Sequence, residues 1–236
     1  AVSINEIIND LSEVISYYDE SEANRQFERA EQHTFSVAGD AAGDQASKTN
    51  LDRSYKKFLS LADIFAPASK YAAGRPKALH FVNHHSFLRM FEKGFCFDRE
   101  RGDFFVDGLL LKLALKALGV NHTYVPGAVY LADRLKNATP NACFFALPSE
   151  ATANALQRLG YCSAIVLPLI NKENLLEVAR SIVEAADGKM VIMGIGSPNQ
   201  DLLALKIVEL DSRLEVLCVG AAVEFLAGTQ KSPPRA

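Results

Sequence analysis

From about residue 76 onward, short apolar runs alternate with segments that have the periodicity of amphipathic helices. Each run has the length of a buried strand, and the loops between runs and helical segments are short. This alternation predicts βαβ units, in which consecutive strands are parallel and the connecting helices cover the sheet. The sequence therefore predicts an α/β fold with a Rossmann-like, mainly parallel sheet and helices on both faces.

The apolar runs are the predicted strands, and the segments between them are the predicted helices. The runs span residues 78–82, 104–106, 122–125, 142–147, 163–169, 190–193 and 214–219. The helical segments span residues 109–118, 129–135, 151–159, 172–186 and 201–208. We expect these elements to form one core domain over residues 76–236.

Before residue 76 the pattern differs, and we expect a helical N-terminal extension over residues 1–75. Ser3 and Glu6 have the spacing of a capping box at the start of an amphipathic helix. A second helical pattern covers residues 51–69, and the small, polar residues of 36–50 predict a flexible loop. Packing of the first helix on the core is the default expectation, and self-association of the chain and binding to a membrane surface are the open alternatives.

Composition argues against several classes of protein. Lys and Arg number 25 against 28 Asp and Glu, a formal net charge of −3, so nucleic acid is not an expected partner. No apolar run reaches the roughly 18 residues of a membrane-spanning helix, and the N-terminus lacks the pattern of a secretory signal. The four cysteines lack the C-x-x-C spacing of a zinc or redox pair, which predicts core thiols in a reducing compartment. These features predict a cytoplasmic protein.

The candidate site lies where the predicted strands end, because ligands of open α/β sheets bind beyond the carboxyl ends of the strands. Asp107, followed by Gly108, comes directly after the second run. A carboxylate there either caps the next helix or acts as a general base that takes a proton from a hydroxyl. His84 and His85 are adjacent, so they cannot both point into one pocket, and surface or supporting roles are expected for them.

Residues 191–201 predict a strand, a glycine turn and the start of a helix. Gly194 and Gly196 allow close approach of the backbone to a ligand, and Pro198 suits the first helical turn. Free amides at the helix start favour an anionic phosphate, so a sugar nucleotide or a dinucleotide would fit. A tight turn between strand and helix explains the same glycines without a ligand.

Signatures of several common enzyme classes are missing from the sequence. No Asp-x-Asp pair, which often holds the metal of a sugar-nucleotide enzyme, occurs anywhere in the chain. The Gly-x-Ser-x-Gly elbow, the Walker loop and the His-Glu-x-x-His helix are also absent. We therefore expect neither a metal nor a cofactor.

Three segments in this order resemble the WecG/TagA/CpsF family of glycosyltransferases. They are Phe105-Val-Asp-Gly108, Gly194-Ile-Gly-Ser-Pro-Asn-Gln-Asp201 and Val219-Gly-Ala-Ala-Val-Glu-Phe-Leu-Ala-Gly228, within a similarity that covers about residues 76–236. The resemblance implies an inverting, metal-independent hexosyltransferase of bacterial cell-envelope or exopolysaccharide biosynthesis. Its donor would be a UDP-sugar, its acceptor a polyprenyl-diphosphate-linked sugar, and its location the inner face of the cell membrane, as a peripheral enzyme.

The resemblance also assigns roles by position in the motifs. Asp107 would be the general base, and Asn83 would line the acceptor or donor pocket. The other expected substrate-binding residues are Gly108, Gly127, Gly194, Gly196, Pro198, Gln200, Asp201, Gly220, Glu224 and Gly228.

The chain departs from the family pattern in several places. Phe81-Val82-Asn83 stands where Thr-Pro-Asn is usual, and Asp201 replaces a more usual Glu. Tyr124 and Val129 occupy positions where an arginine and an aspartate are common. Family members continue past the Ala-Gly segment with an arginine-rich apolar tail, whereas this sequence stops at Ala236 with only Lys231 and Arg235 as diphosphate partners. Weak or no turnover is therefore expected of this form.

Two other functions stay open on the sequence alone. An NAD-type oxidoreductase would need a complete Gly-x-Gly-x-x-Gly early in a βαβ unit, whereas Asn199 holds the third glycine position late in this chain. A non-catalytic sugar-nucleotide-binding scaffold would need neither the missing threonine nor the tail.

Overall fold

The computed structural model describes residues 64–65, 78–117 and 119–231 of the chain. The predicted N-terminal helices and the 36–50 loop lie outside the described residues, apart from Ile64 and Phe65, so the organisation of residues 1–75 and the boundary at residue 76 stay predictions. The chain divides into two compact units, residues 1–66 with 113–121 and residues 67–112 with 122–236. The second unit contains every strand described below.

Six parallel strands form a single sheet, which confirms the predicted fold class. The strands are β1 (Ala78–Val82), β2 (Gly102–Val106), β3 (Cys143–Leu147), β4 (Ala164–Val166), β5 (Met190–Met193) and β6 (Val216–Cys218). Their order across the sheet is β2-β1-β6-β5-β3-β4. The bounds of β1 and β5 agree with the predicted runs residue for residue.

Seven α-helices accompany the sheet within residues 78–231. They are α1 (His84–Glu92), α2 (Leu109–Ala117), α3 (Gly127–Asn137), α4 (Glu150–Arg158), α5 (Leu175–Ala186), α6 (Asn199–Leu210) and α7 (Ala222–Ala227). The sequence patterns predicted α2 to α6 and missed α1 and α7. The six residues of α7 are too few to show helical periodicity. No helix in the described part of the chain is long and apolar enough to cross a membrane.

The strand predicted over residues 122–125 is wrong. Only Tyr124 makes a bridge there, parallel to Val106 at the end of β2. Val106 donates its N–H to the carbonyl of Thr123 and accepts the N–H of Val125, each at 2.9 Å. The next residue is Pro126, which has no N–H to extend the ladder and is the N-cap of α3.

Helices cover both faces of the sheet, as the sequence predicted. On one face α5 and α6 pack against the strands, and on the other face α3, α4 and α7 do so. Side chains of one strand alternate between the faces, so Val191 and Met193 of β5 join the first core cluster and Ile192 joins the second. Burial on both sides explains why the strands read as nearly continuous apolar runs.

The prediction of core thiols holds for two of the four cysteines. Cys143 of β3 and Cys218 of β6 are buried, whereas Cys96 and Cys162 lie in exposed loops. All four are free thiols. Flanking apolar residues therefore predicted burial only where the cysteine belongs to a strand.

Candidate active site

Most of the predicted site residues follow four neighbouring strands, β2, β1, β6 and β5, at their carboxyl ends. Asp107 and Gly108 follow β2, Asn83 follows β1, Gly220 and Glu224 follow β6, and Gly194, Gly196, Pro198 and Gln200 follow β5. At about 4.8 Å between neighbouring strands, the outer two of the four are roughly 14 Å apart. One edge of the sheet thus carries two groups of residues, one beside β2 and β1 and one beside β5 and β6.

Asp107 follows β2 in the chain, and its side chain lies beside the start of α3. Its backbone N–H donates to the carbonyl of Val82 at 2.8 Å, which holds the end of β2 against β1. Its half-buried carboxylate accepts the backbone N–H groups of Gly108 and Gly127, and Gly127 is the first residue of α3. Because Pro126 provides no side-chain cap, the Asp107 carboxylate supplies the negative charge that a helix start favours.

Burial raises the pKa of Asp107 above its ordinary value, and the two backbone N–H groups oppose that rise. The loss of water is the larger effect, since it disfavours the charged form of the carboxyl group. A carboxylate with a raised pKa is a stronger proton acceptor than a solvated aspartate. The carboxylate therefore meets the start of α3 and not, as one sequence hypothesis had it, the start of the next helix, α2, and its raised pKa suits the other hypothesis, a general base.

Gly127 allows the close approach on which this contact depends. A Cβ atom at Gly127 would lie 3.0 Å from Cβ of Phe81, 3.1 Å from its Cγ and 3.5 Å from Oδ2 of Asp107. Phe81 is almost fully buried, with its ring 5.0 Å from that of Tyr130 and 5.6 Å from that of Phe105. Phe81, which replaces the threonine usual in the resembling family, is therefore a core residue in this chain.

Asn83 caps α1 and lies beside the Asp107-Gly108 turn. Its Oδ1 accepts the backbone N–H of Ser86 at 2.9 Å, and a Cβ at Gly108 would lie 3.5 Å from Cβ of Asn83. The next two residues, His84 and His85, have their rings 4.2 Å apart. Burial, with a smaller effect of the His85 charge, lowers the pKa of His84.

The turn after β5 is made of glycines that serve two different purposes. A Cβ at Gly194 would lie 3.1 Å from Cβ of Val223 and 3.5 Å from the carbonyl oxygen of Gly220, so only glycine lets β5 approach α7 this closely. Gly196 has a φ of +80°, and the space around its Cα is open. The backbone conformation thus requires glycine at position 196, and the open space leaves room for a ligand.

Gln200 connects the turn after β5 to the turn after β6. Its Oε1 accepts the backbone N–H of Gly220 at 3.2 Å, and its Nε2 donates to Oγ of Ser197 at 3.4 Å. The residue is 3% exposed. Gln200 therefore holds together the loops predicted to bind the ligand, through contacts within the protein.

Asp201 follows Gln200 in the first turn of α6, but its side chain is buried in the protein interior. Its carboxylate is in the interior, 1% exposed, with Oδ1 at 2.7 Å from Nδ1 of His80 on β1. A side chain in this position does not present its oxygens to a substrate, so the expected substrate contact is replaced by a contact to β1. Sequence reasoning missed His80, although a histidine inside an apolar run was the signal available.

Gly228 and Glu224 mark the two ends of the short helix α7. Glu224 lies in its first turn and is half-buried, and Gly228 ends it with a φ of +70°. Beyond the helix, Thr229 bonds the carbonyl of Glu224 through its N–H at 3.0 Å and its hydroxyl at 3.3 Å. The Thr229 hydroxyl also lies 3.5 Å from that of Thr152 near the end of β3, a contact between residues that sequence reasoning did not select.

Comparison with protein families gives one match, to the glycosyl transferase WecG/TagA/CpsF family over residues 55–236. The chain belongs to this family. It is accordingly a glycosyltransferase of the kind that acts in cell-envelope polysaccharide biosynthesis. The match begins upstream of residue 76, where the resemblance was expected to begin, and includes every predicted site residue. A search of curated proteins found no match.

Proposed function

We propose that the chain transfers a hexose from a UDP-sugar to a polyprenyl-diphosphate-linked acceptor, with inversion and without a metal. Family membership supplies the transferase class. The observation that carries the finer proposal is Asp107, a half-buried carboxylate with a raised pKa at the carboxyl end of β2. A lipid-linked acceptor also requires the enzyme to work at the membrane surface, as a peripheral protein on the cytoplasmic face.

In the proposed reaction, Asp107 takes the proton of the acceptor hydroxyl as its oxygen attacks the anomeric carbon of the donor. The new carbon–oxygen bond forms on one face of the sugar while the bond to UDP breaks on the other, which inverts the configuration. The proton ends on Asp107 and the bonding electrons leave with the diphosphate. A single base is enough if the departing charge is stabilised.

The group beside β5 and β6 fits the nucleotide. The start of the 12-residue helix α6 favours an anionic diphosphate through the positive end of its dipole, although the N–H of Gln200 there donates to the carbonyl of Gly196. Gly196 and Pro198 lie directly before that helix start, with open space at Gly196. Glu224, in the first turn of α7, is suited to accept the ribose hydroxyls, as acidic residues do in nucleotide-binding folds of this kind.

Metal independence rests on the sequence, which has no Asp-x-Asp pair to hold a cation on the diphosphate. The start of α6 takes over that charge in the proposal. Transfer by a chain that includes any native continuation should therefore persist in excess EDTA, measured with radiolabelled UDP-sugar and membranes containing the lipid-linked acceptor. Loss of transfer in EDTA and its return with Mg²⁺ or Mn²⁺ would contradict this part of the proposal.

Calorimetric titration with UDP, UDP-sugars and NAD tests the substrate class. UDP should bind and NAD should not, and binding of NAD alone would favour the oxidoreductase. A transfer assay with Asp107→Asn then tests the base, because the variant should bind UDP and lose transfer. The transfer assay uses a chain that includes any native continuation past Ala236. An unchanged transfer rate in Asp107→Asn would refute the role of Asp107, and UDP binding without transfer in the parent form of that longer chain would favour the scaffold.

A further inference from the structure

A polar pair lies in the apolar interior between β1 and α6. His80 is 0% and Asp201 1% exposed, and Nδ1 of His80 lies 2.7 Å from Oδ1 of Asp201. The other polar atom of each side chain, Nε2 and Oδ2, is buried without a hydrogen-bond partner among the described residues. Buried groups of this kind are unfavourable unless they are paired, so the single hydrogen bond between them matters.

The ring of His80 is held in one orientation. It stacks on Phe104 of the neighbouring strand with ring centres 4.4 Å apart, and Phe95 meets it edge-on at 6.4 Å. A Cβ at Gly102 would lie 2.8 Å from Nε2 and 2.9 Å from Cδ2 of His80, so the absence of a side chain there makes room for the ring. The ring is thereby fixed with Nδ1 toward α6.

Three consecutive residues tie the start of α6 to three parts of the fold. Asn199 donates its side-chain amide to the carbonyl of Ile170 in the loop after β4, at 3.4 Å. Gln200 accepts the N–H of Gly220 after β6, and Asp201 meets His80 in β1. The Asp201 contact is the shortest of the three and the only one in which both side chains are ionisable.

We propose that the His80–Asp201 pair positions the start of α6, and with it Gln200 and the loop that binds the donor nucleotide. Asp201 is then a positioning residue, because it acts through the placement of Gln200 and the helix amides. The proposal rests on the proposed function for its effect on UDP, whereas its effect on α6 is independent of any ligand.

A buried metal is the competing explanation of the same residues. Cys218 is the register partner of His80 in β6, and the ligand atoms of His80, Asp201 and Cys218 all lie within 4.8 Å of one another. Zinc accepts such ligands, as thiolate, imidazole and carboxylate. The structure favours the hydrogen-bonded pair, because the Sγ of Cys218 lies 3.9 Å from the carbonyl of Gln200 as a donor, and the cluster offers three ligand atoms among the described residues, whereas a structural zinc site takes four.

Asp201→Ala tests the proposal with two measurements. Amide hydrogen exchange of the ligand-free protein should accelerate about tenfold or more at residues 199–203 and at Gly220, while amides of β3 keep the parent rate. UDP affinity, measured by calorimetry, should fall about tenfold or more because the helix start is displaced. Asp201→Asn keeps an oxygen that can accept from Nδ1–H of His80, so it should restore both quantities to within about threefold of the parent.

Glu209→Ala is the matched control, because Glu209 lies on the same helix. The variant loses only the ion pairs that Glu209 makes with Arg101 and Lys206 at the protein surface. It should leave exchange at residues 199–203 and UDP affinity unchanged. Equal behaviour of Asp201→Ala and Glu209→Ala would overturn the proposal, as would one equivalent of zinc in the purified protein that disappears in Cys218→Ser.

If Asp201→Ala does not fold, Asp201→Asn decides: near-parent exchange and a downfield Nδ1 proton resonance of His80 support the pair, and free exchange at residues 199–203 refutes it. If the parent does not bind UDP, the proposed function fails, and the exchange measurement alone judges the pair.

Discussion

The two groups of residues at the carboxyl edge of the sheet are built from different materials. Beside β2 and β1, a half-buried carboxylate, Asp107, is held by backbone N–H groups. Beside β5 and β6, the turns contain glycines: Gly194 and Gly196 after β5 and Gly220 after β6. Gln200 joins these two turns by hydrogen bonds within the protein. The first group offers a proton acceptor and the second offers backbone amides and space. Under the proposed function we therefore expect chemistry and donor binding to be separable, so single substitutions should affect one without the other.

Asp107→Asn should produce the largest effect and should confine it to chemistry. Loss of a general base lowers the transfer rate by about 10²- to 10⁴-fold. UDP affinity should stay within about twofold of the parent, because Asp107 follows β2 and the nucleotide is proposed to bind beside β5. Initial rates of transfer and calorimetric titration of UDP measure the two effects. A variant that loses both equally would show that the two groups of residues work as one unit.

Gly196→Ala should have the reverse effect, weakening donor binding while the base is left intact. At a φ of +80° an alanine is strained by about 1–2 kcal/mol, although nothing lies within 4 Å of its Cβ. We expect UDP affinity to fall about tenfold in calorimetry, with transfer at saturating donor close to that of the parent.

Gly188→Ala is the matched control for Gly196→Ala. Gly188 has a φ of +76° and equally open surroundings, and it lies before β5, at the opposite end of that strand. Both variants should lose a similar free energy of unfolding in urea titrations, and only Gly196→Ala should lose UDP affinity. Loss of affinity in both would attribute the effect to general instability.

Gly102→Ala should weaken donor binding from a greater distance. The added Cβ would meet the His80 ring at 2.8 Å, so the ring must shift and its bond to Asp201 must lengthen. We expect a several-fold loss of UDP affinity and about 1–3 kcal/mol less free energy of unfolding, as in other overpacked cores. The double variant Gly102→Ala with His80→Ala relieves the clash but lacks the hydrogen bond. It should regain neither UDP affinity nor stability, because it leaves a cavity and the buried Asp201 carboxylate without its partner, and recovery of UDP affinity would contradict the link from His80 to α6.

The sequence predicted the sheet well because β1, β3, β5 and β6 are buried on both faces and therefore have distinct apolar runs. It failed for residues 122–125, where the apolar pattern continues but Pro126 ends the ladder after one bridge. It also missed α1, whose first residues are His84 and His85 and whose cap, Asn83, was selected for substrate binding. Local pattern identifies which residues are apolar, whereas the extent of an element depends on partners distant in the chain.

The candidate site was predictable to the level of strand ends and not to the level of side-chain direction. Asp107 and Gly127 were both selected, and the structure brings them into contact through the start of α3. Asp201 was selected by its motif, but its partner His80 is 121 residues away in the sequence. No spacing rule relates residues so far apart. Only the adjacency of β1 to the start of α6 shows that this carboxylate turns inward.

The smallest expected effect is a dependence of stability on pH, which distinguishes the two groups by charge alone. Burial raises the folded-state pKa of Asp107, so the folded protein binds this proton more tightly than the unfolded chain does. The resulting stabilisation is complete below the unfolded value of 3.8 and is lost as the pH rises through the raised pKa. Asp107→Asn has no such proton, so its free energy of unfolding relative to the parent should increase from pH 3 to pH 7. Gly196→Ala changes no titratable group, and its difference from the parent should be the same at both pH values. Urea titrations of the three proteins at each pH measure the effect. If the difference in free energy of unfolding between Asp107→Asn and the parent were the same at both pH values, the Asp107 carboxylate of the parent would be solvated in the folded state.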